Sequence, residues 1–402
     1  MSSSDDTGSG SESIQTLRGR LWTAVTSYDE HRAADILFAA LEGGTGAETI
    51  LLDLIAPVQA KVGSEWAANR LSVAQEHAAS AITERVVAAL AHHPSTRTPP
   101  TLGRITVACV DQEWHVLPAR LLAEVLTLRG WQVDFLGAQV PTPHLIAHLH
   151  NNGADAVALS SSIPTRLPTA HAAITACQAT GVPVLAGGAA FGTDGRHARL
   201  LGANAWAPDA RTAAQQLADG LPRLSLAAGR QQIDDLPHLA DQEYTLVVRS
   251  QGQLVKEVLA QLEDRFPAMA AYSTHQRERT AEDIAHIVEF LGVALYTDDD
   301  DLFTDFIIWT AGILTARQVP ADSLHPALNI LADQLNDFPR STRLLNRARF
   351  ALDDAPVAAG KHPGVSAGRP RPTPPSPSPL KPARAQHISI SPATSTTTPA
   401  TN

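Results

Sequence analysis

Ile105-Thr106-Val107-Ala108-Cys109-Val110 runs directly into Asp111-Gln112-Glu113-Trp114-His115. Six apolar or β-branched residues read as a buried strand. The next five place two carboxylates and an imidazole just beyond its carboxyl end. Downstream, Leu117 to Arg129 reads as a helix stopped by Gly130, and Trp131-Gln132-Val133-Asp134-Phe135-Leu136 as a second strand. Pro143 to Asn151 is a helix stopped by Gly153, and Ala156-Val157-Ala158-Leu159-Ser160 a buried strand. A helix from Leu167 to Thr180 and a strand over Val182-Pro183-Val184-Leu185-Ala186 follow. Strands alternating with helices predict a doubly wound parallel sheet. Ligands of such sheets bind outside the carboxyl ends of the strands, so a site is expected in loops 111–118, 137–143, 160–167 and 187–195.

Three features occupy those loops. His115, with Glu113 two residues before it, suits a metal ligand whose far ring nitrogen is held by a carboxylate; the same pattern also suits an ordinary polar loop. Ser160-Ser161-Ser162 offers small hydroxyls and accessible backbone. Gly187-Gly188-Ala189 lacks the side chains that would keep a flat group off the backbone, a tight turn being the plainer alternative.

The chain has 402 residues, of which 44% are hydrophobic. It divides into three units, 13–93, 102–222 and 245–353, and a tail, 354–402. His93-Pro94-Ser95-Thr96-Arg97-Thr98-Pro99-Pro100 makes the first break, and helical periodicity fades between Leu221 and Gln242. In the tail, 11 of the 28 prolines fall after residue 355 among Ser, Thr and Ala, a composition that predicts disorder. Unit one reads as a helical bundle. Leu17, Leu21 and Val25 form one stripe, and Ile50, Leu51, Leu54, Ile55 and Val58 another. Gly43-Gly44-Thr45-Gly46 stops a helix, and Ser72 with Gln75 at N3 is a capping box opening a helix that reaches Leu90. Unit three is helical again. Its stripes are Leu254, Val258, Leu262 and Phe266; Ile284, Ile287, Val288, Leu291 and Leu295; Phe303, Phe306, Ile307 and Leu314; and Leu324, Leu328, Leu331 and Leu335.

Composition excludes several classes. Two cysteines, Cys109 and Cys177, rule out a disulfide scaffold and a multi-cysteine zinc site. Residues 356–402 hold five Lys and Arg and no Asp or Glu, so the rest of the chain carries −15 within a formal net charge of −10. So acidic a body is a poor match for a phosphate backbone. No apolar run approaches the roughly 18 residues of a membrane span, and the Ser/Asp/Gly-rich start is unlike a secretory signal. A cytoplasmic protein contacting neither nucleic acid nor membrane is expected.

On Glu113, His115, Ser160 and Gly187-Gly188, unit two resembles the cobalamin-binding domain of methionine synthase, the corrinoid methyltransferase proteins and the cobalamin photoreceptors. That family carries Asp/Glu-x-His-x-x-Gly, then Ser-x-Leu/Thr, then Gly-Gly. The resemblance implies that His115 is the lower cobalt ligand, replacing dimethylbenzimidazole, and that the nucleotide tail runs into the core beside Ser160 and Gly187-Gly188. Trp114 and Ser162 join the expected contacts. Pro118 stands where Gly is usual and Ser162 where Leu is common, which bears on how the tail threads. In unit one, Trp66 followed by Glu76-His77 resembles the helical cap of the adenosylcobalamin-dependent photoreceptor repressors. The likeness implies that Trp66 covers the adenosyl group and that Glu76 and His77 contact it. Those repressors have a His directly after this Trp, as upper ligand after photolysis, where this chain has Ala67; water and His77 are the alternatives. They also carry a DNA-binding domain before the cap, for which about a dozen residues leave no room.

The order of cap, cobalamin domain and helical domain is similar to that of the photocobilins, which join a cobalamin photoreceptor to a globin-like domain that binds biliverdin. Residues 279–286 and 302–309 carry this likeness. It implies a multidomain α and α/β protein that senses light without being an enzyme, with adenosylcobalamin and biliverdin as cofactors. Unit three has no cysteine, so a bilin there is non-covalent. Arg277 and Arg279 are candidates for its propionates, Asp283 and His286 for its pyrrole N–H groups, and Tyr272 and Trp309 for its walls. Haem on His286 is the rival. Asp298 to Asp301 reads as a solvated helix-entry loop, lacking the spacing of a calcium loop. A signalling protein and a second copy of the chain, in a homodimer, are the expected partners. The competing readings are a corrinoid methyl carrier and a cobalamin-responsive interaction module.

Overall fold

The computed structural model describes residues 12–222, 236–265, 269 and 272–354. The expected disordered tail beyond 354, the Ser/Asp/Gly-rich start and Phe266 lie outside them.

The N-terminal bundle consists of α1 (Ile14–Thr26), α2 (Glu30–Glu42), α3 (Ala47–Thr49), a π-helical run Ile50–Ile55, α4 (Ala56–Ala67) and α5 (Val73–Ala91). The Ile50 to Val58 stripe is buried as expected, but its first half is π rather than α. Pro57 accounts for this. It has no N–H for the Asp53 carbonyl four residues back, and in an α-helix its ring would collide with that carbonyl. The wider turn relieves the clash: Ala56 N–H bonds Leu51 instead, and Arg18 Nε donates to the Asp53 carbonyl at 2.6 Å. At the start of α5, Ser72 Oγ accepts from Gln75 N at 3.2 Å and Gln75 Oε1 from Ser72 N at 2.9 Å, the capping box read from the sequence.

The middle of the chain is β1 (Arg104–Cys109), α6 (Leu117–Leu128), β2 (Gln132–Gly137), α7 (Thr142–Asn152), β3 (Ala156–Ser160), α8 (Leu167–Ala179), β4 (Val184–Gly187), α9 (Arg196–Leu200), β5 (Ala205–Ala207) and α10 (Ala210–Asp219). All strands are parallel, in the order β2-β1-β3-β4-β5. Strand β5 and helices α9 and α10 were not expected; three residues, Ala205-Trp206-Ala207, are too short for a period to show. Chain order reverses between β1 and β3, the switch point where a crevice opens. Register pairs Cys109 with Ser160 and Ser160 with Gly187, so three loops of interest leave adjacent strand ends at one level.

Period-2 alternation divides the sheet between two cores. Ile105, Val107, Cys109, Ala158, Leu185 and Ala207 join α6, α10 and the N-terminal bundle. Ala108, Val110, Val157, Leu159, Val184 and Ala186 join α7, α8, α9 and the C-terminal helices.

Those helices are α11 (Glu243–Arg265), α12 (Thr274–Thr297), α13 (Asp300–Ala316), α14 (Leu324–Gln334) and α15 (Pro339–Asp354). Their expected stripes are buried, apart from partly buried Leu314. The aspartate run is not simply solvated. Asp298 closes α12 in the left-handed region at φ 51° and pairs with Arg340 at 3.1 Å. Asp299 caps α13, while Asp300 and Asp301 pair with Arg343 and Arg347. Among the described residues no cluster of three His, Cys, Asp or Glu could hold a metal, and no helix is long and apolar enough to cross a membrane.

Candidate functional site

The site forms at the β1/β3 switch point. Beyond β1, Val110 N–H bonds the Ser160 carbonyl at 3.1 Å, Gln112 turns the chain at φ 64°, and Glu113 N–H returns to the Val110 carbonyl at 3.0 Å. This turn buries Glu113 completely. Its Oε1 accepts from His115 Nδ1 at 2.7 Å and from the His115 backbone N–H at 2.9 Å. Its Oε2 accepts from Ser161 Oγ at 3.3 Å and from the N–H groups of Ser162 at 2.6 Å and Ile163 at 3.1 Å. Burial alone would push the carboxyl up. The hydrogen bonds from His115 and the Ser162 backbone, with the His115 charge, prevail and bring it down to about 2. Glu113 is therefore an anion held in the protein interior. Its hydrogen bond raises the His115 ring above its ordinary value against the pull of burial, with the charges of Glu113 and Glu76 adding to the rise. When the ring is neutral, Nδ1 donating to the carboxylate leaves the Nε2 lone pair on the outward side of a ring that is 56% exposed. Trp114 stands beside it, 38% exposed.

The serines also serve the loop itself. Ser160 is 6% exposed at the end of β3, while Ser162 serves Glu113 through its backbone N–H. Ser161, to which its place in the loop assigns no role, is fully buried and its hydroxyl reaches Glu113. The two glycines differ. Gly188 has φ 100°, and a Cβ there would lie 2.2 Å from the Ser161 carbonyl oxygen, so the serine loop itself occupies the space its missing side chain leaves. Gly187 is the open one: a Cβ there would meet only the Ala207 carbonyl oxygen, at 3.7 Å. Pro118 enters at the first turn of α6, where its missing N–H is no loss.

Helices α4 and α5 bring the cap residues to this end of the sheet. Glu76 Oε2 holds His77 Nδ1 at 2.6 Å, and Glu76 Oε1 accepts from Ser80 Oγ at 2.8 Å. Ser80 Oγ in turn accepts from Gln59 Nε2 at 2.6 Å. The Glu76 charge adds to the rise of the His115 ring. Two buried atoms on α4, Trp66 Nε1 and Gln59 Oε1, have no partner. Ser80 was legible one turn after Glu76 on α5. Gln59 carried no sequence signal, because only the packing of α4 on α5 brings it in.

The C-terminal candidates separate into two groups. Arg279, Asp283 and His286 share one face of α12 with Phe290 by their spacing. Phe290 stacks on Phe306 of α13 with centroids 3.7 Å apart and planes 5° from parallel, and Trp309 lies 6.3 Å from Phe306. Burial pushes Asp283 up to about 6. Arg279 pairs with Glu282 at 2.8 Å and His286 with Glu289 at 3.3 Å. Arg277 points elsewhere, to Glu263 and the Met269 carbonyl. Tyr272 precedes α12, half-buried, and Trp309 is 44% exposed. The Phe290–Phe306 stack leaves no room for a planar ring between those two side chains. Cys109 and Cys177 are both buried in the sheet domain, and burial raises each thiol to about 12.

Residues 103–218 match the B12 binding domain, and residues 17–91 match a second family described in the same words. The sheet domain and the helical bundle before it are thus both of B12-binding type. The HTH-type transcriptional repressor CarH of Myxococcus xanthus is 30% identical over 187 residues, covering 44% of this chain. The chain spans 58% of that repressor's length. Among solved structures, the monomethylamine corrinoid protein of Methanosarcina barkeri is 18% identical at a TM-score of 0.44, covering 50% of this chain and 97% of the other. A cobalamin-binding protein of Desulfitobacterium hafniense is 17% identical at a TM-score of 0.29, covering 50% of this chain and 97% of the other.

Proposed function

We propose that the chain is a light sensor that holds adenosylcobalamin between the N-terminal bundle and the sheet. The observation that carries this reading is the buried Glu113, which holds His115 through Nδ1 and leaves Nε2 on the outward side of a largely exposed ring. The residues present fit such a group. A neutral imidazole whose other nitrogen is held by a carboxylate is a good cobalt donor, and the orphaned Trp66 Nε1 and Gln59 Oε1 await polar partners on the bundle side. Bound there, adenosylcobalamin supplies a cobalt–carbon bond that light cleaves. His115 would hold the group from the sheet side, Ser160 and the open Gly187 would receive its nucleotide tail, and Trp66, Glu76 and His77 would contact it from the bundle side. Losing the adenosyl group would remove what Trp66, Glu76 and His77 contact on the bundle side. Likeness to a transcriptional repressor supports a sensor over a catalyst.

The C-terminal helices are the proposed seat of a globin-like, non-covalent biliverdin site. Support comes from the shared face of Arg279, Asp283 and His286 and the aromatic run Phe290, Phe306 and Trp309 beside it. For a bilin to sit against that run, the Phe290–Phe306 pair has to open.

Absorption spectra of the chain loaded with adenosylcobalamin and with biliverdin, before and after illumination, test the reading. The expected result is a base-off, histidine-ligated cobalamin whose spectrum changes irreversibly in light. His115→Ala should lose the histidine-ligated spectrum and bind at least tenfold more weakly. An unaltered spectrum and affinity in that variant removes His115 as ligand. A light-stable cofactor that accepts methyl groups would favour a methyl carrier instead.

A further inference from the structure

One helix of the C-terminal domain touches both halves of the site. Helix α13 has 17 residues, a rod of about 25 Å. At its start, the capping Asp299 accepts from His197 Nε2 at 2.8 Å and pairs with Arg196 at 2.9 Å, both from the sheet domain. His197 is 4% exposed, and its Nδ1 donates to the Ala190 carbonyl at 3.0 Å, two residues beyond Gly188. At its far end, the Ala316 carbonyl accepts from Asn69 Nδ2 at 3.3 Å, and the Arg317 guanidinium lies 5.4 Å from the centre of the Trp66 ring, both in the bundle.

Arg317 is unusual for an arginine. Its hydrogen bond goes to the Ile313 carbonyl at 3.3 Å, and among the described residues it pairs with no carboxylate. Burial without a counter-charge disfavours its cationic form, and its value falls below the ordinary one. The indole face is the compensation on offer, and tryptophan is the best aromatic partner for a guanidinium.

We propose that Arg317 is a positioning residue of the site, holding the Trp66 indole from the side of the C-terminal domain so that α13 registers whether an upper ligand is present. This rests on the reading of Trp66 as the cover of that ligand. The two ends of the helix differ in strength. The sheet end is a part-buried, charge-assisted network centred on the buried His197 and costlier to break. The bundle end is an exposed neutral hydrogen bond and one cation–π contact. A shift of the bundle therefore frees the Arg317 end and leaves the Asp299 end in place. Information about the upper face passes into the domain whose aromatic residues line the same helix.

Two measurements on the full chain test this. Hydrogen exchange with bound adenosylcobalamin, in darkness and after illumination, should show protection lost over 310–320 and retained over 294–302. A double-mutant cycle of Trp66→Phe and Arg317→Met should show a coupling of about threefold to thirtyfold in the dissociation constant of adenosylcobalamin, the range of a partly desolvated cation–π pair. Methylcobalamin should show none, and Arg317→Lys should recover most of the effect. If the wild-type chain binds no cobalamin, the reading beneath the inference fails, and the inference with it. If it binds and photolyses while exchange over 310–320 stays constant and the cycle is additive, the inference alone fails.

Discussion

At the scale of single residues, the Glu113–His115 pair joins the stability of the chain to its ligand chemistry. The carboxyl falls from an ordinary 4.5 to about 2 in the folded chain. Its contribution is complete above about pH 4.5 and lost as pH falls toward 2, amounting to roughly 3 kcal/mol. His115 is raised instead, so its contribution is complete below pH 6.5 and lost as pH rises through the folded value. In the cobalamin-free chain, Glu113→Gln should flatten the acid limb of stability between pH 4.5 and 2, as read by urea unfolding at a series of pH values. An unchanged acid limb would show that other carboxylates govern it. On the opposite side of the site, His77 is held by Glu76 through Nδ1 with a ring 58% exposed, which leaves Nε2 available where Ala67 provides nothing. After photolysis the wild type should give a bis-imidazole spectrum and His77→Ala an aquo-like one that titrates with pH. Identical light-state spectra assign the upper position to water.

At the scale of elements, backbone close approach sets what the loops tolerate. Gly188 combines φ 100° with a position only 2.2 Å short of a main-chain oxygen, and a carbonyl cannot swing aside as a side chain can. Gly188→Ala should therefore destabilise the sheet domain by more than about 2 kcal/mol, whereas Gly187→Ala should cost under about 1 kcal/mol and act on ligand affinity. Thermal unfolding and cobalamin titration of the two variants separate these outcomes; equal destabilisation would mean that both glycines serve only the fold. The π turn before α4 follows the same logic. Pro57 displaces a carbonyl, and Arg18 from a neighbouring helix satisfies it.

At the scale of the whole molecule, the bundle is tied to the sheet domain by charge as well as by apolar packing. Glu48 and Asp53, beside and within the π turn, pair with Arg129 at the end of α6 and Arg211 on α10, at 2.6 to 3.2 Å. The arginines hold both carboxyls below their usual range. The cluster is partly exposed, so each pair contributes at most about 1 kcal/mol. Arg211→Ala should loosen the joint by about that amount at low ionic strength, with faster hydrogen exchange in α3 and the π turn. The difference should vanish at about 1 M salt, where charges are screened beyond about 3 Å. A difference that persists in high salt would assign the effect to packing.

Local order was legible where a period or a cap suffices. The alternation of strand and helix, the Ser72–Gln75 box, the buried stripes of the C-terminal helices and the loop bearing Glu113 and His115 could all be read from neighbours in the chain, because each depends on residues within a few positions. Proline at 57 held the signal for the π turn, though only the clash with its own helix reveals it. The remainder depended on contacts across many residues. Strand β5 is too short for a pattern and exists because β4 offers it an edge. The burial of Glu113 requires the serine loop 48 residues later, and Gly188 is needed because that same loop packs on it. The place of the C-terminal domain, which shares a core with the sheet and reaches the bundle through the far end of α13, was decided by tertiary structure alone: Arg317 and Trp66 stand 251 positions apart, and nothing local to either distinguishes them from a surface cation and a core aromatic.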